Sequence, residues 1–374
     1  MKKQIGVAII GAGMIGGIHQ RASRLADGAL VGVLDANPEH CARTAERWGT
    51  QAYASVEAIM NDPAVEVVHV CTPNALHYGL AKAALEAGKH VICEKPLATQ
   101  LEDAIELEAL ARAKGAVATV PFIYRYHPMV REARARIQEG EIGALQLIHG
   151  SYLQDWLLGA SDTNWRVDTK QGGASRAFAD IGSHWCDVVE WVTGQRFTEM
   201  VASFATTVAE RPANAQATFS AAAEAENAPK VAITTEDAAG ALLRTSAGVM
   251  ATLTISQVSA GRKNRLWFEI DGAQKSVIFD QEQPEQLWLG RRDGMEMLVR
   301  DPSRGSAEQR RLAVLPPGHV QGFAQCFEAF VADTYALIRG EAREGVPTFT
   351  DGLRSAHIVD AALRSVKSRN WVTI

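Results

Sequence analysis

The feature that most constrains the fold is a glycine-rich turn between an apolar run and a helical segment. Residues 5–10 are apolar and mostly β-branched, residues 11–16 read GAGMIG, and the residues that follow carry apolar side chains at helical spacing. Glycines allow a tight turn and a close approach of phosphate to the backbone, so this strand–turn–helix predicts dinucleotide binding. Ordinary turns also contain glycine, so the neighbouring elements must distinguish dinucleotide binding from a simple turn. The predicted pyrophosphate contacts are Gly11, Gly13, Met14, Ile15 and Gly16.

Asp35 ends the second apolar run, about twenty residues after the glycines, where a dinucleotide-binding fold places an acid against the adenosine ribose. A carboxylate there repels a 2′-phosphate, which predicts NAD rather than NADP. Neither Ala36 nor Asn37 supplies a compensating positive charge. The alternative is that Asp35 only caps the turn that leads into Pro38.

Two later apolar runs also end in polar residues, and helical segments separate the runs. Alternating strands and helices predict a parallel sheet, whose ligands bind beyond the carboxyl ends of the strands. Residues 1–123 are therefore predicted to form a doubly wound Rossmann domain. The further predicted cofactor contacts at these strand ends are Thr72, Pro73, Asn74, His77, Glu94 and Lys95.

From residue 124 the alternation stops, and successive strand-like runs predict a mainly antiparallel sheet in a second domain, 124–374. One helix in it, residues 179–194, carries an apolar stripe. Asp180 and His184 fall one turn apart on another face, so the carboxylate is placed to orient the imidazole. The alternative is an ordinary surface pair. The predicted buried stripe consists of Ile181, Trp185, Val188, Val189 and Val192.

Charge and cysteine content limit the classes of function. A net charge of −5 without a basic cluster argues against nucleic acid or an anionic membrane as partner, and favours a small molecule. Five scattered cysteines without CxxC spacing predict neither disulfides nor a metal site, and they favour the reducing cytoplasm. Lys2 and Lys3 before an apolar run also suit a leader peptide, but the glycine pattern explains this segment better.

Four motifs, GAGMIGGIH, CTPNALH, CEKPLA and DIGSHWCD, resemble the Gfo/Idh/MocA family of NAD(P)-dependent sugar and cyclitol oxidoreductases, and the resemblance covers essentially the whole chain. It implies a Rossmann domain followed by an α/β domain with a large, open, mostly antiparallel sheet used for oligomer contacts, hence a homodimer or homotetramer. It also implies a cis Lys95–Pro96 peptide bond. The family's catalytic residues map onto Lys95, Asp180 and His184.

The chemistry implied is hydride transfer from a secondary carbinol carbon to nicotinamide, with His184 as general base. Lys95 would stabilise the charge on the reacting oxygen, and Asp180 would orient His184. Residues 151–168 are similar to the levoglucosan and glucoside dehydrogenases of the family. The predicted substrate contacts are Lys95, Tyr124, Arg125, Gln154, Asp155, Trp156, Trp165, Arg166, Asp180 and His184.

Several alternatives stay open at this point. Trp156 and Trp165 suit either sugar stacking or interface packing. Arg176 suits either an anionic substituent of the substrate or a pair with a surface acid. The predicted activity is an NAD-dependent dehydrogenase for a ring hydroxyl of a sugar, glycoside, anhydrosugar or cyclitol. The rival activities are a redox-neutral, NAD-dependent glycosidase and a non-catalytic nucleotide-binding regulator.

Overall fold

The first six strands form one parallel sheet. The computed structural model describes residues 4–213 and 229–374. The strands of this sheet are β1 (Ile5–Ile10), β2 (Gly28–Leu34), β3 (Gln51–Ala52), β4 (Val67–Val70), β5 (His90–Cys93) and β6 (Ala118–Thr119). Their order is β3-β2-β1-β4-β5-β6 and every pairing is parallel, as predicted for a Rossmann domain. The helices between them are α1 (Met14–Leu25), α2 (Pro38–Trp48), α3 (Val56–Asn61), α4 (His77–Glu86) and α5 (Leu101–Lys114).

The second sheet described has nine strands. They are β7 (Leu145–Leu153), β8 (Phe197–Ala205), β11 (Ala238–Thr245), β12 (Met250–Ser256), β13 (Arg265–Gly272), β14 (Ser276–Asp280), β15 (Gln286–Arg291), β16 (Gly294–Val299) and β17 (Val372–Thr373). Their order is β16-β15-β14-β13-β7-β12-β11-β8-β17. The pair β7–β12 is parallel and the other pairs are antiparallel, which confirms the predicted large, mostly antiparallel sheet.

Smaller elements complete the second part of the chain. The strands β9 (Glu210–Pro212) and β10 (Lys230–Ala232) form a separate antiparallel pair. The helices are α6 (Pro128–Gln138), α7 (Thr169–Gly172), α8 (Ser183–Thr193), α9 (Ala307–Leu312), α10 (Phe323–Ile338) and α11 (Phe349–Ser368). No helix within the two described ranges combines the length and apolarity needed to cross a bilayer.

Helix α8 packs its apolar side on the large sheet. All five residues of the predicted stripe are buried, which confirms that prediction. Trp185 is fully buried and its indole N–H donates to the carbonyl of Trp267 at 2.9 Å. Gly150 makes room for this ring, since a Cβ there would lie 2.4 Å from the indole nitrogen. The helix that carries Asp180 and His184 is thus anchored by its opposite side.

The chain divides into two compact units in a way that the predicted ranges 1–123 and 124–374 do not describe fully. The first unit ends at Ile123 but also includes Ala324–Ala356, and the second holds the remaining residues. The later segment joins the first unit because α10 packs there: the Phe327 ring lies 4.8 Å from His19, and Tyr335 is fully buried. A pattern of helical apolar spacing does not indicate which sheet a helix covers.

Candidate active site

The glycine turn of the first unit is closed on its inner side and open on its outer side. Gly11 has φ +102°, and a Cβ there would lie 2.5 Å from the carbonyl oxygen of Cys71. A Cβ on Gly16 would lie 2.1 Å from the Gly11 carbonyl oxygen, whereas one on Gly13 would meet no described atom within 4 Å. Gly13 is also the N-cap of α1, and no side chain in residues 4–213 or 229–374 caps that end. The turn therefore presents free backbone N–H groups of the kind that bind a pyrophosphate.

Asp35 fastens this turn. Its Oδ2 accepts the Ala12 N–H at 2.9 Å and its Oδ1 accepts the Asn37 N–H at 3.0 Å. The turn-capping alternative thus corresponds to a real contact. A carboxylate has about four acceptor positions, so Asp35 retains capacity for ribose hydroxyls. Close by, after the end of β4, the buried Thr72 hydroxyl oxygen has no hydrogen-bond partner among the residues that the structure describes.

The peptide bond between Lys95 and Pro96 is cis, as the resemblance implied. His77 contacts this turn through its ring, with Nδ1 2.7 Å from the Pro96 carbonyl oxygen and Nε2 2.9 Å from the Thr72 carbonyl oxygen. Its ring is fully buried and both nitrogens face backbone carbonyls. Burial lowers the pKa of His77, although the two carbonyl contacts and the charge of Glu94 oppose this. The His77 side chain thus links the segments that follow β4 and β5. Its contact with the cofactor stays a prediction.

Glu94 lies beneath the same turn. It is 8% exposed, and its Oε2 accepts the Lys95 N–H at 3.1 Å. Lys95 itself is half-buried, and so are Pro73 and Asn74, which begin a short 3₁₀ helix after β4. These residues all follow the carboxyl ends of β4 and β5, as the strand pattern predicted.

In the second unit, the helix that carries Asp180 and His184 is not a uniform α-helix. Residues Phe178–Gly182 form a π-turn, in which the Ser183 N–H bonds to the Phe178 carbonyl, and α8 begins at Ser183. The predicted α-helical spacing of Asp180 and His184 is therefore corrected, because the wider turn lies between them. Single π-turns of this kind are frequent at functional sites.

Gln257 and Arg166 both approach the Asp180 carboxylate. Its Oδ2 accepts from Gln257 Nε2 at 3.0 Å, and its Oδ1 lies 3.6 Å from Arg166 Nε. The Arg166 guanidinium stacks 4.3 Å from the Trp165 ring centre and 5.8 Å from that of Trp156. Arg166 thus connects the Asp180 carboxylate to Trp156 and Trp165, and all four residues are predicted substrate contacts.

Uncharged polar groups continue from there to His184, which is 8% exposed and packs its ring 5.0 Å from that of Tyr124. We call Tyr124, Tyr152, Gln154 and Asn264 the amide–tyrosine cluster. The two tyrosine hydroxyls bond to each other, and Asn264 donates to Tyr124 at 3.1 Å while accepting from Tyr152 at 2.7 Å. Gln154 donates to Asn264 at 2.8 Å. Burial raises the pKa of Tyr152 well above 10, so its hydroxyl stays protonated.

Tyr152, Gln257 and Asn264 were missed by the sequence reasoning. They share one sheet edge, because the parallel strands β7 and β12 both end there, with Leu153 paired to Ser256, while the antiparallel β13 begins there at Arg265. For Gln257 and Asn264 the available signal was a polar residue directly after or before a strand. It could not be used without knowing the strand order.

Two predicted substrate contacts are engaged with protein partners. Arg125 is buried and makes a two-bond ion pair with Asp187, with Nε 2.8 Å from Oδ2. Asp155 is ion-paired with Lys263 at 2.7 Å. Their proposed contacts with substrate stay predictions.

Arg176 is fully buried rather than directed at a surface acid. Its guanidinium donates to Asp237 and to the Glu236 carbonyl, at 2.9 Å for the latter. Arg211, also buried, donates to the same Asp237 carboxylate at 3.0 Å. One carboxylate thus accepts hydrogen bonds from two guanidinium groups, so Arg176 has a structural partner inside the protein.

Among the described residues, His149, Glu269 and Asp271 are grouped closely enough for a metal, with ligand atoms within 4.8 Å of one another. They lie half-exposed on β7 and β13. His149 Nε2 lies 3.5 Å from Glu269 Oε2 and 3.8 Å from Asp271 Oδ2.

Comparison with known proteins accounts for both units. Residues 5–122 match a family model described as "Oxidoreductase family, NAD-binding Rossmann fold", and residues 130–278 match the "GFO/IDH/MocA C-terminal domain". Levoglucosan dehydrogenase of Pseudarthrobacter phenanthrenivorans is 32% identical over 91% of this chain and 88% of its own length. The chain belongs to the Gfo/Idh/MocA family. Its first unit is therefore an NAD-binding Rossmann domain.

Solved structures of family members have the same fold. A levoglucosan dehydrogenase in complex with NADH and levoglucosan superposes with a TM-score of 0.89 at 29% identity, over the full length of both chains. An inositol dehydrogenase homologue from Azotobacter vinelandii, complexed with NAD⁺, gives 0.87 at 25% identity over 100% of this chain and 98% of its own. The family thus includes relatives named for a sugar derivative and a cyclitol, levoglucosan dehydrogenase and inositol 2-dehydrogenase.

Proposed function

We propose that this protein is an NAD-dependent dehydrogenase that oxidises a secondary ring hydroxyl of a sugar, glycoside, anhydrosugar or cyclitol. The observation that supports this proposal is the set of side chains around His184 and Asp180. Hydroxyl, amide and indole groups predominate there, and such groups recognise the hydroxyls and C–H faces of a polyol.

The proposed mechanism assigns one role to each of three residues. Bound NAD would supply the hydride acceptor for the carbinol carbon. His184 accepts the proton of the hydroxyl group as general base. Lys95 donates a hydrogen bond to the same oxygen and stabilises its developing negative charge. Asp180 stabilises the protonated His184.

The residues proposed to hold NAD all lie in the first unit. The uncapped N-terminus of α1 and the open side of Gly13 suit the pyrophosphate. Asp35 suits the adenosine ribose, and Thr72 offers an unpaired buried hydroxyl at the end of β4. Met14 is 51% exposed beside the turn, where an adjacent cofactor would cover it.

The proposed assembly is a homodimer or homotetramer. Outward-facing apolar side chains on the large sheet support it: Leu242, Met250 and Met297 are 43%, 49% and 44% exposed. A sheet face of this kind is a common site of self-association.

A panel of cyclitols, free pyranoses, anhydrosugars and glycosides, each supplied with NAD, tests the function. We expect stoichiometric NADH absorbance with at least one ring polyol and the corresponding ketone as product. Glycoside cleavage without accumulation of NADH would contradict a dehydrogenase. Binding of NAD without turnover of any member of the panel would equally contradict it.

Asp35 gives a separate prediction about the cofactor. Hydrogen bonds to a charged acceptor contribute about 1.5–3 kcal/mol, so Asp35→Ala should raise KM for NAD about 10–100-fold and should narrow the preference over NADP. Initial rates with both cofactors measure this.

Asp35→Asn separates the two roles of this residue, because it keeps an acceptor oxygen for the Ala12 N–H but removes the charge. Asp35→Asn should reduce the preference for NAD over NADP, with little loss of thermal stability. The exposed Glu39→Gln on the neighbouring helix serves as the control. An unchanged NAD-to-NADP ratio in both Asp35 variants would mean that the residue only caps its turn.

A further inference from the structure

Beneath the Lys95 turn lies a chain of buried hydrogen bonds that joins three elements of the first unit. Tyr335 on α10 donates to Ser23 Oγ at 2.9 Å, and its hydroxyl lies 3.0 Å from His69 Nε2 on β4. His69 Nδ1 lies 2.9 Å from His19 Nδ1 on α1. His19 Nε2 lies 3.2 Å from Glu94 Oε1. We call this chain the histidine relay.

The direction of the first bonds follows from the tyrosine. Its single proton goes to Ser23, so its oxygen accepts from His69 Nε2–H. Burial, and then the charge of His19, lower the pKa of His69 well below 6.5. His69 is therefore neutral, its Nδ1 is an acceptor, and the proton between the two rings belongs to His19 Nδ1.

The remaining contact then requires one more proton. With Nδ1 of His19 already protonated, a neutral ring would present a lone pair at Nε2 to the Glu94 carboxylate. The contact at 3.2 Å is attractive when a proton lies between the two atoms. Burial would raise the pKa of Glu94, but the hydrogen bond from His19 and the charges of His19 and Lys95 lower it. Glu94 therefore stays a carboxylate and His19 is the imidazolium.

We propose that His19 is a positioning residue that acts as a buried, protonated counter-ion to Glu94 and thereby holds the Lys95 turn in the conformation required for catalysis. The connection to the turn is direct, because Glu94 Oε2 accepts the Lys95 N–H at 3.1 Å. This inference rests on the proposed catalytic role of Lys95, and it adds to that role a proton held by residues outside the reacting centre.

Other titratable groups around Glu94 cannot replace His19. Burial, together with the charge of Glu94, raises the pKa of both Cys71 and Cys93 well above 9, so both stay neutral thiols. His77 faces backbone carbonyls, and burial lowers its pKa. Burial also raises the pKa of Tyr335. Lys95 is a further cation near this carboxylate, and the proposed reaction requires its charge at the substrate.

The first test observes the proton directly and needs no turnover. Nitrogen-15 NMR of histidine-labelled full-length protein, with and without NAD, should show one ring doubly protonated from about pH 6 to pH 8, across the usual histidine pKa of about 6.5. That signal should be absent from His19→Gln and should change to a neutral ring in Glu94→Gln. A neutral His19 throughout this range would overturn the proposal, because the chain would then run from Tyr335 towards Glu94.

The second test measures the pH profile of kcat/KM. The direction of the expected shift follows from Glu94. His19 lowers the pKa of Glu94, so removing the His19 charge should raise the pKa of Glu94. In His19→Gln the acid-side loss of activity should therefore move to higher pH by about one unit or more. The exposed His319→Gln should leave the profile unchanged. An unmoved acid limb in His19→Gln would refute the positioning role.

A double variant separates positioning from general damage to the fold. Glu94→Gln already lacks the charge, so adding His19→Gln should reduce kcat by no more than about threefold further. Independent, multiplying losses would contradict the proposal. If no polyol is oxidised at all, the function proposed above fails while the NMR result still decides the protonation of His19.

Discussion

Replacing Lys95 by methionine should lower kcat about 10²–10³-fold, the usual effect of removing one donor to a developing oxyanion. Methionine keeps an unbranched apolar stem but supplies no hydrogen bond and no charge. The turn around it should persist, because Glu94 and His77 hold this turn by its backbone atoms. Affinity for NADH, measured by fluorescence titration, should therefore change by less than about tenfold. Steady-state rates on the best polyol of the panel measure kcat.

Lys82→Met is the matched control for this experiment. Lys82 lies on the same unit, in a partly exposed ion pair with Glu106 at 2.6 Å. Its loss should leave kcat unchanged, since exposed pairs contribute little to stability. His184→Gln should lower kcat by about 10²–10⁴-fold through loss of the general base, and combining it with Lys95→Met should cost less than the product of both effects. Near-normal turnover by Lys95→Met would refute the assigned role.

The largest effect on stability should come from Asp237→Asn. Breaking a buried ion pair costs about 3–5 kcal/mol because an uncompensated charge stays behind. Here two buried guanidinium groups, of Arg176 and Arg211, share the carboxylate. The midpoint of thermal unfolding should fall by roughly 6–20 °C, as followed by circular dichroism.

The same variant should alter the response of stability to acid. Burial would raise the pKa of Asp237, but hydrogen bonding by the Val208 N–H and the charge of Arg176 lower it. The stabilisation that the Asp237 carboxylate provides is therefore present at neutral pH. It is lost as the pH falls through the pKa of Asp237 in the folded state. The difference between wild type and Asp237→Asn should shrink correspondingly in acid. The exposed Asp293→Asn should lower the midpoint by under about 2 °C, and a similarly small effect of Asp237→Asn would contradict the network.

The local features of the fold and of the candidate site could be predicted because each depends on neighbouring residues. The glycine turn, the polar strand ends and the buried stripe of α8 all arise from short-range patterns of glycine, charge and apolar spacing. The catalytic assignment of Lys95, Asp180 and His184 came from family resemblance and stays a proposal.

Features that depend on long-range contacts could not be predicted. Asn264 and Gln257 reach the candidate site through the strand order of the large sheet, which no local pattern specifies. The partner of Arg176 is separated from it by 61 residues. The π-turn before Ser183 is not indicated by apolar spacing; within it, a Cβ on Gly182 would lie 3.1 Å from the Phe178 ring and 3.4 Å from Ile255.

The return of Ala324–Ala356 to the first unit limits how this protein can be recombined. A gene fusion that ends after residue 123 would omit α10, and with it Tyr335 and Phe327, which cover His69 and His19. The nucleotide-binding module is thus encoded in two separate stretches. Transplanting it, or exchanging it between homologues in a chimera, requires that both stretches come from the same parent.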